Sequence, residues 1–140
     1  MMTDYIIVFV TAASEEEAAL IGQTIVGERL AACVNIIRSI RSIYRWQGRI
    51  EDEQEVLLII KTKRTLFENL KKRVKELHSY SVPEIVALPL VGGDEQYLNW
   101  LGERQVMTIS LKTHEAFENS LVYRFYPLTV SLNQVKNNSS

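Results

Sequence analysis

"AACVNIIRSIRSIYRWQGRIEDEQEVLLIIKT", residues Ala31 to Thr62, decides how this chain folds. Its returning half, "EVLLIIKT", is almost wholly apolar, the composition of a strand covered on both faces. Gln47-Gly48 divides the two halves, and glycine takes a positive φ in such a turn without steric penalty. The stretch reads as one long β-hairpin. On its outgoing limb Ile36 and Ile40 share one parity while Ile37 and Ile43 share the other. A β-bulge that changes the facing is therefore expected.

Working outward, "YIIVFV" (Tyr5 to Val10) is a second continuous apolar run and a predicted central strand. Ser14 and Glu17 then stand at capping-box spacing, three glutamates crowd the first turn, and Ala18, Ile21, Gly22 and Ile25 form one apolar stripe. That segment is a predicted helix. Beyond the hairpin, Thr65 and Glu68 repeat the capping-box spacing, with Phe67, Leu70, Val74 and Leu77 at helical intervals. Pro83 sets an extended geometry for the strand "EIVALPL", and Asp94 caps a short helix through Tyr97, Leu98 and Leu101. Strand, helix, strand, strand, helix, strand and a short C-terminal helix make an α+β sandwich, the split β-α-β order of ferredoxin-like folds.

Helices in this arrangement cover one face of an antiparallel sheet. Strands this apolar do not leave the other face in water, and a hairpin this long overhangs a small domain with Tyr44 and Trp46 near its tip. Packing against copies of itself resolves both features; the alternative is a cover supplied by the C-terminal segment.

The 140 residues suit one compact domain. With 16 basic and 17 acidic residues the net charge is -1, which gives no broad electrostatic reason to bind nucleic acid or an anionic membrane. The single cysteine, Cys33, excludes an internal disulfide. Neither a signal peptide nor a membrane span is read in the sequence, and the expected location is the cytoplasm. From about Gln105 the character changes. "SLVYRFYPLTVSL" reads as a peripheral strand interrupted by Pro127, and "NNSS" as a disordered end. Residues 1–104 are thus expected to be the ferredoxin-like domain and 105–140 an extension of unassigned role.

Several side chains carry chemistry. His78, at the end of the second helix, is either an imidazole ligand for a cation such as Cu(II) or a basic group complementing the helix terminus. Cys33 is either a soft thiolate ligand or a small buried hydrophobe. Glu84 opens an apolar strand and calls for a partner, for which Lys61 is the evident choice. Lys61, Tyr80 and Glu84 then form a polar cleft with Trp46 and Trp100 as walls, or a structural ion pair at a seam. The run "IEDEQE" (Ile50 to Glu55) reads as a solvated face and Gly92-Gly93 as a turn. No motif sets a base beside Cys33, so the chain reads as non-catalytic.

The segments "VFVTAAS", "GERLAACVNI", "SIYRWQGRIEDEQEVLLIIKT" and "HSYSVPEIVALPLVGGDEQYLNWL", in this order from about Tyr5 to Arg104, resemble the CutA divalent-cation tolerance proteins. The resemblance implies a small cytoplasmic protein with a ferredoxin-like fold, a homotrimer built through its long hairpins, linked to tolerance of copper and other divalent metals. It implies weak metal binding without an obligatory cofactor, a metal-linked cysteine at Cys33, and a cleft lying between subunits. Where some relatives have a "HHPY"-like segment this chain has Leu77-His78-Ser79-Tyr80, one imidazole in place of two. The likeness of that family to PII signal transducers implies an alternative, a sensory or scaffolding module whose clefts bind a small metabolite or a protein partner.

Overall fold

Residues 3–104 are described in the computed structural model of this chain. They form a four-stranded antiparallel sheet in the order β2-β3-β1-β4. β1 (Tyr5–Ala12) is followed by α1 (Glu15–Gly27), then by the hairpin of β2 (Cys33–Trp46) and β3 (Arg49–Lys63). A 3-10 turn (Arg64–Leu66) leads into α2 (Phe67–Leu77), β4 (Ile85–Pro89) and α3 (Glu95–Glu103). This is the expected ferredoxin-like fold. The predicted strand around Pro127 and the extension from residue 105 lie outside the described residues.

The hairpin turns where its glycine stands. Gln47 and Gly48 have φ of 50° and 81°, both positive as a two-residue turn joining twisted strands requires. The bulge is present as well. Ile37 pairs with Leu57 and Ile40 with Glu55, so Arg38 and Ser39 together oppose Val56. Directly opposed residues share a face. Ile37 and Ile40 thus come to one face despite their different parity, and Ile36 and Ile43 to the other.

On the helix-covered face Val8 and Val10 of β1 stand opposite Ile60 and Leu58 of β3, all four fully buried. Ala18, Ile21 and Ile25 of α1 and Leu70 and Val74 of α2 close this core, the α1 residues being the predicted stripe. Each large aliphatic side chain so buried is worth about 1.5–3 kcal/mol. Helix α1 begins as read, with Ser14 Oγ accepting the Glu17 N–H at 3.1 Å. The second capping box does not form. Thr65 falls inside the 3-10 turn, and no side chain caps α2 at its first residue, because the chain enters that helix already wound.

The other face of the sheet carries Ile7 and Phe9 from β1, Leu57 and Ile59 from β3, and Val86 and Leu88 from β4. Helix α3 lies over only one end of it, where Lys61 Nζ stands 5.9 Å from the Tyr97 ring centroid. The rest is open: Val86 is 47% exposed, Leu88 44% and Ile37 43%. Past Ala12, which pairs with Val56, the hairpin continues beyond the other strands of the described residues. No helix among the described residues is long and apolar enough to cross a membrane.

Candidate functional site

The end of β1 is where the chemistry gathers. His78 leaves α2 and buries its side chain completely. Its Nε2 lies 2.6 Å from the Thr11 carbonyl, and its Nδ1 is 3.1 Å from the Tyr80 backbone N. A carbonyl only accepts and a backbone N–H only donates, so the network assigns the neutral ring with its proton on Nε2. Both ring nitrogens are thereby engaged. Glu17 completes this corner. It accepts the Ala13 N–H at 3.2 Å, the Ser79 N–H at 2.6 Å and the Ser79 hydroxyl at 3.0 Å. Burial works against the Glu17 carboxylate, but the hydrogen bonds it accepts from Ser79 and Ala13 outweigh it and hold its pKa below the usual carboxylate value.

Beside this corner, between the overhanging hairpin and the α2–β4 connection, lies a pocket of about 400 Å³. Tyr44 and Trp46 line it from β2, Glu53 and Glu55 from β3, and Tyr80 and Glu84 from the connection. Tyr44 donates its hydroxyl to Glu53 at 3.1 Å, and Tyr80 donates to Glu55 at 2.7 Å. Burial, then the bond to Glu55 and its negative charge, push the Tyr80 phenol well above its ordinary range. Glu55 is only 8% exposed. The end of "IEDEQE" is therefore not a solvated face: past the bulge Glu55 pairs with Ile40 on the open side of the sheet, and Tyr80 covers it.

The pocket gathers Trp46, Tyr80 and Glu84 of the expected cleft and leaves out Lys61 and Trp100. Lys61 stands opposite Ile7, whereas Ile85 stands opposite Val10, so Glu84 and Lys61 are roughly 13 Å apart along β1 at ~3.3 Å per residue. Within one chain they form no ion pair. Lys61 instead donates to Asn35 Oδ1 at 2.8 Å and approaches Tyr97, which stacks on Trp100 with centroids 5.6 Å apart. Cys33 belongs to this second cluster. It pairs with Lys61 across the sheet, is partly exposed, and has its Sγ 3.8 Å from Asn35 Oδ1.

His78 and Cys33 thus sit at opposite ends of the sheet within one chain, His78 by Thr11 and Cys33 by Lys61. Among the described residues no three His, Cys, Asp or Glu side chains converge as metal ligands would. Sequence reading missed Glu17, Thr11 and Glu55. The capping-box signal did pick out Glu17, but as a local cap, and nothing in a linear pattern links it to Ser79.

The CutA1 divalent ion tolerance protein family matches residues 6–104. The divalent-cation tolerance protein CutA of Thermus thermophilus is 55% identical over 97 residues, covering 69% of this chain and 94% of that protein. CutA of Pyrococcus horikoshii is 45% identical over 98 residues, covering 70% and 95%. The chloroplastic protein CutA of Arabidopsis thaliana is 47% identical over 96 residues, which span 69% of this chain and 53% of that longer protein. The solved structure of the Thermus thermophilus protein superposes with a TM-score of 0.71 at 52% identity, over 73% of this chain and 99% of that one. CutA1 from Oryza sativa gives 0.73 at 41%, over 76% and 98%. The four-stranded sheet, the overhanging hairpin and the length of the match agree, and the chain belongs to the CutA1 divalent ion tolerance protein family.

Proposed function

We propose that this chain serves divalent-cation tolerance as a non-catalytic cytoplasmic homotrimer with no obligatory cofactor. The observation that carries the assembly is the part of the second sheet face that α3 leaves open, where Val86, Leu88 and Ile37 remain more than two-fifths exposed beside Phe9 and Ile59. A contiguous apolar face of this kind is an interface in waiting, and sibling chains are the cover that needs no further partner. Contact with Cu(II) or a related cation is weak in this reading. Cys33 offers the accessible donor, and His78 contributes only by giving up the Tyr80 N–H. Light scattering on the full chain at micromolar dilution tests the assembly, and a lone protomer overturns it. Equilibrium dialysis with copper tests the ligands: equal uptake by the wild type and a Cys33→Ala, His78→Ala variant excludes both.

A second reading is favoured by the pocket of about 400 Å³ under the hairpin. Its size and aromatic lining suit a small molecule, as in a sensory or scaffolding module of the PII kind. A thermal shift raised by one metabolite and by no metal would favour it over the first.

A further inference from the structure

Along β3 every second residue turns to the same face. On the face that α3 leaves partly open the order is Glu53, Glu55, Leu57, Ile59, Lys61. One strand thus carries an acidic end, an apolar middle and a basic end. Glu84 adds a third carboxylate to the acidic end, in the pocket with Trp46 and Tyr80. At the basic end the Lys61 ammonium meets uncharged groups among the described residues, Asn35 Oδ1 at 2.8 Å and the Tyr97 ring at 5.9 Å. Lys63, next on this face, packs beside Gly102 of α3.

The two ends cannot meet within one protomer. Glu55 and Lys61 lie on one extended strand, roughly 20 Å apart at ~3.3 Å per residue. Sibling chains that cover this face take both ends further out of water, where a charge is costly without an opposite one. Acidic end on acidic end adds like-charge repulsion, which disfavours that register. Acidic end on basic end removes the repulsion and supplies the missing charge to each. Because the two contacting surfaces then differ, the contact is head-to-tail, the kind that closes into a ring.

We infer that the pocket under the hairpin is one half of a composite site, completed by Lys61 of a second copy, whose ammonium is set between Glu55 and Glu84. Trp46, Tyr80 and Glu84 come from one protomer, and Lys61 and Trp100 from its partner. The division explains why five side chains that suit one cleft fall into two clusters at opposite ends of the sheet. The inference rests on the homotrimer proposed above.

The test is sedimentation equilibrium of the full chain over a range of protomer concentrations, in urea below the unfolding transition, with circular dichroism to check the fold. Lys61→Glu sets acid against acid and should weaken the assembly by about thirtyfold or more. Adding Glu84→Lys to the same chain exchanges the two charges and should recover most of that loss. Where Lys61→Glu does not fold, Lys61→Met keeps the apolar stem and drops the charge. It should weaken the assembly alone, and adding Glu84→Gln to it should cost less than Glu84→Gln costs in the wild type. Assembly of Lys61→Glu as strong as the wild type overturns the inference and leaves the homotrimer in place. So does a swapped variant that recovers nothing, or a pair of losses that simply add. A wild type that stays a lone protomer at every concentration overturns both.

Discussion

The Glu17 carboxylate accepts the backbone N–H of Ser79 at 2.6 Å, fastening the first turn of α1 to a loop 62 residues further along the chain. The same side chain takes the Ser79 hydroxyl and the Ala13 N–H, while His78 reaches the Thr11 carbonyl. Two helices and the end of β1 are joined at one corner, and Tyr80, a wall of the pocket, follows directly from it. The corner therefore sets the shape of the pocket before any ligand arrives.

Glu17→Gln exchanges one accepting oxygen for an NH₂ group that faces existing donors, at a cost of about 1–2 kcal/mol at neutral pH. Because the folded state lowers the Glu17 pKa from its ordinary 4.5, its charge contributes stability above that value. The contribution is lost as pH falls through the folded pKa. Urea titrations from pH 7 downward should show the gap between wild type and variant narrowing below about pH 4.5. A gap independent of pH would mean that the carboxylate charge has no part in the corner.

Much of this was legible in the residues. Gln47-Gly48 and the parity break from Ile37 to Ile40 are local signals, and the turn and bulge stand where they fall. The stripe of α1 is equally local. Chemical complementarity joins Lys61 to Glu84 in the sequence, while sheet register keeps the two apart within one chain. Glu55 was hidden in a charge run, since its burial depends on a bulge in the partner strand and on Tyr80, 25 residues away. Pairings across the sheet leave no mark in the sequence around either partner.

Arg29 occupies the left-handed region at φ 63° just past the end of α1. The Leu30 N–H reaches the Ile25 carbonyl at 2.8 Å and the Arg29 N–H the Val26 carbonyl at 3.1 Å, the paired bonds of a Schellman motif. Glycine fits that position without the Cβ penalty of about 1–2 kcal/mol. Arg29→Gly is expected to stabilise the protein by about 0.5–1 kcal/mol, the remainder being offset by the greater freedom of glycine in the unfolded chain. Chemical denaturation at fixed protomer concentration measures it. A loss of stability would show that the Arg29 side chain contributes more than its backbone strain costs.

Val86 stands opposite Phe9 on the open part of the second sheet face and is 47% exposed within one chain. Val86→Asp places a carboxylate there without disturbing the core on the opposite side of the sheet. If copies of the chain cover this face, an unpaired buried charge of this kind costs about 3 kcal/mol or more. The expected result is a fall in mass by sedimentation equilibrium with the far-ultraviolet dichroism preserved. An unchanged mass would place the interface elsewhere.

Gly102 lies in α3 so near Tyr5 that a Cβ at this position would stand 2.5 Å from the Tyr5 hydroxyl oxygen. Two effects then compete in Gly102→Ala. Alanine is favoured over glycine within a helix by about 0.8–1 kcal/mol, while the clash forces the Tyr5 ring or the helix to shift. Tyr5→Phe removes the obstructing oxygen, and the next ring atom is 3.7 Å away, an ordinary contact. Gly102→Ala should therefore be neutral or destabilising in the wild type and stabilising by about 1 kcal/mol in the Tyr5→Phe background. The double-mutant cycle, read by urea denaturation at one protomer concentration, isolates the coupling from the separate cost of losing the hydroxyl. Equal gains in both backgrounds would mean that α3 does not approach β1 this closely, and that the covered end of the open face is wider than the packing of Gly102 on Tyr5 requires.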